Sequence, residues 1–98
     1  MKNDIKKLFP EKWEETKQKA YKRDGRKCQF IKPNGKKCNN KKWLDPHHII
    51  PKSHDMSSCF NSDNVITLCR YHHKIVTGNE HVYAQQFIKT VKENKNGK

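Results

Sequence analysis

Long apolar runs are missing from this 98-residue chain, and charged side chains interrupt even its first ten residues. No segment approaches the length of a membrane span or of a signal peptide's apolar region, so the expectation is a soluble, cytoplasmic chain without membrane association. Apolar residues are scarce overall, at 32%. A single domain built from them has a small core, in the size range where folds often lean on a metal or on disulfides. With no secretory signal, the four cysteines point to reduced thiols or metal ligands ahead of a disulfide framework. Acidic residues are also short, 10 against 22 Lys and Arg, which leaves a formal charge of +12. That balance calls for a polyanionic partner, with nucleic acid ahead of a membrane surface or an acidic protein.

The positive charge is unevenly spread. Residues 1–43 carry 15 basic and 5 acidic groups, residues 44–78 three of each, and residues 79–98 four and two. A basic arm therefore precedes a neutral segment, which suggests that one part grips phosphates while another performs a local task. The plainer alternative is a lysine-rich solubilising face.

Five of the six histidines (His47, His48, His54, His72, His73) fall in the neutral window from Leu44 to Ile75. Four of them form adjacent pairs. Neutral imidazole is both a proton acceptor near physiological pH and the commonest metal ligand. This window is the expected functional centre.

The elements around it can be placed from local chemistry. Pro10, with Glu11, Glu14 and Glu15 behind it, suits a helix start, and Trp13, Thr16, Ala20 and Tyr21 recur at helical spacing up to Asp24-Gly25. A basic N-terminal helix is expected over 10–24, either laying lysines along a duplex or covering the core. Leu44 to Ile50 reads as a first strand, with Pro46 fitting an edge. Lys52 to Asp63 reads as a polar loop and Asn64-Val-Ile-Thr-Leu-Cys69 as a second strand. A short helix should run from Arg70 or Tyr71 to about Thr77, where Gly78 stops it. Val82, Tyr83, Phe87, Ile88 and Val91 mark an amphipathic C-terminal helix over 80–93, with a frayed polar end from Asn94.

Cys28 and Cys38 bracket Pro33-Asn34-Gly35, strong turn chemistry that brings two thiols together. Cys69-x2-His72 offers a second ligand pair at knuckle spacing. Together they suggest a structural zinc held by Cys28, Cys38, Cys69 and His72. The alternative replaces His72 by Cys59, in an all-cysteine site. His54 and His81 are expected at the surface, with His54 able to touch DNA from its loop.

The set His47-His48-Ile49-Ile50-Pro51, Asn64-Val-Ile-Thr-Leu-Cys69 and His72-His73 resembles the HNH endonuclease family. The stretch Arg23-Asp24-Gly25-Arg26-Lys27-Cys28-Gln29 resembles the lead into that family's first zinc arm, so the likeness covers roughly residues 21–77. It implies an α+β fold with a ββα-metal (His-Me finger) core over 28–77, stapled by zinc and flanked by the N- and C-terminal helices in one domain, 1–98. It implies hydrolysis of DNA phosphodiester bonds, with double-stranded DNA the expected substrate. By the same likeness His48 is the general base, His47 and His73 hold one catalytic divalent cation, and Asn64 ties down the loop between the strands. The family often has Asp where His47 stands. That leaves the cation open among Mg²⁺, Mn²⁺ and transition ions such as Ni²⁺, Co²⁺ or Zn²⁺, because imidazole favours the latter and Mg²⁺ prefers oxygen. Small HNH proteins of this kind resemble those of bacteriophages, which implies packaging-terminase partners in a bacterial host. His47 and His48 can serve one site only if the strand bends there, since successive side chains point to opposite faces. Two other classes fit the composition: a zinc-stapled DNA-binding module without catalysis, and a structural protein docking its basic arm on an acidic partner.

Overall fold

Pro10 starts the first helix, α1 (Pro10–Arg23), at a position whose N–H would lack an intrahelical partner in any case. Glu11 occupies the first turn and Lys22 and Arg23 the last, each complementing the helix dipole. Thr16 and Ala20, one turn apart, form its buried stripe. The computed structural model describes residues 9–50 and 60–96. His54 and Cys59 lie outside them, and with Cys59 the all-cysteine alternative for zinc.

The sequence suggests a helix through residue 24, but α1 ends one residue earlier because Asp24 turns inward. Its side chain is fully buried. Arg23 donates to both carboxylate oxygens at 2.8 Å, the backbone N–H of Thr67 donates at 3.0 Å, and Asn94 Nδ2 donates at 2.9 Å. Arg23 also donates to the carbonyls of Ser62 and Val65, at 2.7 and 2.6 Å. A buried carboxylate persists when its lone pairs are filled in this way. This hub joins α1 to the second strand and to the C-terminal helix.

Past Gly25 the chain makes a narrow turn unit. A single bridge, Ile31 with Lys37, flanks the turn, and Gly35 takes the positive φ of +86° that the turn requires. Cys38 N–H donates to Phe30 O at 2.9 Å and Cys28 N–H to Asn40 O at 2.9 Å. The two cysteines are thereby set side by side.

Strand β1 (Leu44–His48) pairs antiparallel with β2 (Val65–Cys69), with Leu44 opposite Cys69 and His48 opposite Val65. Pro46 lies opposite Thr67. The backbone N–H and C=O of Thr67 point away from β1, to Asp24 and Gln29. Pro46 thus sits at a non-hydrogen-bonded pair, where its missing N–H removes nothing from the ladder. Further rungs extend the pairing at both ends: Arg70 N–H to Trp43 O at 2.7 Å, and Ile49 N–H to Asn64 O at 2.8 Å. A 3-10 turn, Ser62–Asn64, precedes β2 in a segment whose composition suggests only loop.

Every residue of β2 is buried. Ile66 and Leu68 join Phe30, Ile49, Val76, Phe87 and Val91 in the main core, while α1 packs against β2 as well. Helix α2 (Arg70–Val76) follows β2 directly. Helix α3 (Glu80–Asn96) buries Phe87, Thr90 and Val91. It exceeds the expected 80–93 by a turn, and residues 94–96, expected to fray, continue the helix because the last turn has tertiary partners. Asn94 donates to Asp24 and Gln29, and Lys95 Nζ meets Asp63 at 2.9 Å. The chain is α+β, three helices with a two-stranded antiparallel sheet among the described residues. No described helix is long and apolar enough to cross a membrane.

Candidate functional site

The start of α2 places two clusters back to back. Cys69, the last residue of β2, and His72, in the first turn of α2, meet Cys28 and Cys38 from the narrow turn unit. The four donor atoms all lie within 4.8 Å of one another. His72 Nδ1 is 3.4 Å from Cys69 Sγ and 3.7 Å from Cys28 Sγ. Metal–ligand lengths of about 2.3 Å to sulfur and 2.0–2.1 Å to nitrogen give tetrahedral edges of about 3.6–3.8 Å, so the spacing fits a zinc ion at its centre. Phe30 stacks on His72 at 4.1 Å with the rings 7° from parallel. This fixes the imidazole with Nδ1 facing the sulfurs.

Burial pushes the Cys28 thiol up to about 12. Burial also acts to raise Cys69, yet the backbone N–H of His72 and hydrogen bonds from neighbouring side chains outweigh it and leave the thiol below its ordinary value. Burial lowers His72, with Lys32 adding to the effect. The donor set is soft, closed and almost dry, which is the character of a structural zinc site. Cys28, Cys38, Cys69 and His72 could hold such an ion, and the four are the residues that the spacing suggests.

His73, one residue further along α2, faces the other way. Its Nδ1 lies 3.2 Å from Asp45 Oδ2, and its ring centroid is 5.4 Å from that of His47. His47 is 5% exposed, with Phe87 closing the side towards α3. Its Nε2 is buried and has no hydrogen-bond partner among the described residues. Burial, then the nearby His73, hold the His47 imidazole down to about 4, against the opposing charge of Glu80. The ring is therefore neutral near pH 7.

His48 is the last residue of β1, and the ladder runs unbroken through it. His47 faces α2 and α3, whereas His48 stacks on Trp13 of α1 at 5.3 Å and 26°. Asn64 clamps the strand ends: its backbone carbonyl accepts from Ile49 N–H at 2.8 Å, and its side chain accepts from Ile50 N–H and donates to Ile50 O, both at 3.0 Å. His81 is exposed on α3.

Asp45 and Arg70 are functional candidates that motif reading passes over. Asp45 has a signal in the sequence, because positions two apart on a strand share a face, which sets it beside His47. Arg70 lies 3.6 Å from Asp45 Oδ1, and only the register reveals that. Among the described residues, the Cys3His group is the one set of three or more donors that approach so closely. Comparisons with protein-family models, with curated proteins and with solved structures returned no match.

Proposed function

We propose that the chain is a metal-dependent nuclease of the HNH type, hydrolysing DNA phosphodiester bonds. The observation that carries this reading is the buried, unpartnered Nε2 of His47 on a ring beside that of His73. An unsatisfied buried nitrogen costs about 1–3 kcal/mol, and a ligand that takes its lone pair removes that cost. His47 and His73 would hold one divalent cation. Asp45, at Nδ1 of His73, fixes the tautomer and leaves Nε2 as that ring's ligating atom. When bound, the cation supplies Lewis acidity to the phosphoryl oxygens. Two imidazoles suit Mn²⁺, Co²⁺, Ni²⁺ or Zn²⁺ better than Mg²⁺.

His48 is the proposed general base, taking the proton of the attacking water from the last position of β1 while Trp13 limits its rotation. Asn64 keeps the two strand ends in register. The order β1, β2, α2 then supplies the ββα-metal frame, and the Cys3His group staples it. The basic residues of the first 43 positions grip phosphates without reading bases, so sequence preference is weak.

The stacking of His48 on Trp13 favours a second reading, a zinc-stapled DNA-binding module without catalysis. Plasmid nicking with Mg²⁺, Mn²⁺, Co²⁺, Ni²⁺ and Zn²⁺ decides between them. The nuclease cuts with at least one ion, and His48→Ala lowers the rate by about 100-fold or more while zinc content and melting temperature hold. Binding that weakens steeply with salt, with no nick under any ion, selects the module.

A further inference from the structure

The ladder ends in solvent with an unusual rung. Trp43 and Arg70 are paired through the 2.7 Å hydrogen bond from Arg70 N–H to Trp43 O. Trp43 is 69% exposed, yet its backbone is held at φ +57°, a left-handed conformation rarely adopted by a bulky side chain. The Arg70 guanidinium carbon lies 5.6 Å from the centroid of the indole, and the same guanidinium reaches Asp45. From the indole, four successive contacts, through Arg70, Asp45 and His73, lead to the buried His47. The ring is thus anchored at its base, linked to the histidine pair through Arg70 and Asp45, and left outside the core.

The surroundings say what could cover it. Lys41 and Lys42 precede Trp43 and are exposed, and Arg70 and Lys74 are exposed on α2. Tyr71 matches Trp43 at 69% exposed. Aromatic faces interleaved with cations, on a chain of charge +12, complement a ligand that has both flat apolar rings and phosphates. A protein partner would offer the rings without the dense negative charge. DNA bases stacked within an intact duplex present only their edges, so the occupant must offer a base released from its stack.

We propose that Trp43 and Arg70 form a stacking platform for an unstacked DNA base, making single strands, gaps and frayed ends the preferred ligands of this surface. The proposal deepens the nuclease reading and rests on it for its catalytic meaning.

The test uses the zinc-loaded full chain without added divalent cation. Binding to oligo(dT), to a gapped duplex and to a blunt duplex is followed by anisotropy, with tryptophan quenching as the direct report of stacking. Trp43→Gly is the informative variant, because glycine accepts the positive φ and removes the ring without straining the fold. It should bind oligo(dT) and the gapped duplex about 5- to 150-fold more weakly, with blunt-duplex affinity within about twofold and zinc content unchanged. Trp43→Phe should restore most of the loss. Native-like binding of oligo(dT) by Trp43→Gly overturns the proposal, as does an equal loss on all three DNAs or a native protein that does not favour exposed bases. Nicking assayed on the same preparations separates the two ideas. Selective loss in a chain that never cuts keeps the platform and removes the nuclease, whereas cutting by a chain whose Trp43→Gly variant binds normally does the reverse.

Discussion

Two neighbouring residues of one helix, His72 and His73, serve two clusters of opposite character. His72 completes a set with three sulfurs, four donors in mutual reach and two of the cysteines nearly inaccessible. His73 meets one imidazole and one carboxylate, with its own side chain 32% exposed and that of Asp45 23% exposed. The first set fills a tetrahedron and leaves nothing for a substrate to take. The second borders solvent and keeps a nitrogen unsatisfied. Closed sites hold folds together, while open ones keep a position for chemistry. The separation arises from about 100° of helix rotation between successive residues.

The comparison breaks most visibly if the closed cluster is removed. Cys38→Ser, or treatment with a strong chelator, should release zinc and unfold the chain, read by circular dichroism and metal content. Structural zinc contributes about 10–16 kcal/mol in small domains, as much as the whole stability of a typical protein, about 5–15 kcal/mol. A chain that keeps its fold without the metal would make the cluster incidental.

Asp24→Ala, which touches neither set of donor atoms, should cost about 3–5 kcal/mol in urea unfolding, because it leaves the Arg23 guanidinium buried without its carboxylate and the Thr67 N–H without its acceptor. Zinc content should not change. Loss of zinc together with stability would mean that the two anchors are one cooperative unit.

The open pair should respond with the opposite sign. His47→Leu deletes the unsatisfied Nε2 and extends an apolar surface beside Phe87, so the melting temperature should hold or rise, by the equivalent of about 1 kcal/mol. On the proposed nuclease reading, divalent-dependent nicking should vanish. A large loss of stability would show that the ring is a structural element with an undetected partner.

Thr67→Val gives the smallest effect. The Thr67 hydroxyl is buried without a hydrogen-bond partner among the described residues, and valine keeps the shape and the strand preference. The variant should be as stable as the native chain or more stable by about 1 kcal/mol in thermal melts, with metal content and DNA binding unaltered.

Much of the fold could be read in the chain because its signals are local. Pro10, the helical spacing of Trp13 to Tyr21, and Gly78 mark helix ends through backbone chemistry. Cys69 and His72 lie within one helical turn, and Pro33-Asn34-Gly35 forces the companion cysteines together, so the zinc donors follow from short-range geometry. The inward turn of Asp24 was hidden because its partners, Thr67 and Asn94, are 43 and 70 residues away. The extra turn of α3 was hidden for the same reason: Asn94 and Lys95 look like a polar tail until they meet Asp24 and Asp63. His47 and His48 illustrate the limit from the other direction. Strand alternation separates adjacent rings, and the unbroken pairing leaves them on opposite faces.

The residues by themselves determined which donors exist, how much positive charge surrounds them and where the chain must turn, because each depends on side-chain identity or on neighbours a few positions apart. Only the tertiary structure decided that His47 faces His73 while His48 lies against Trp13, that Asp45 holds His73, and that Trp43 stands out over Arg70. Those contacts depend on the strand register and on which helices cover each face of the sheet. Both are set by the packing of the whole core.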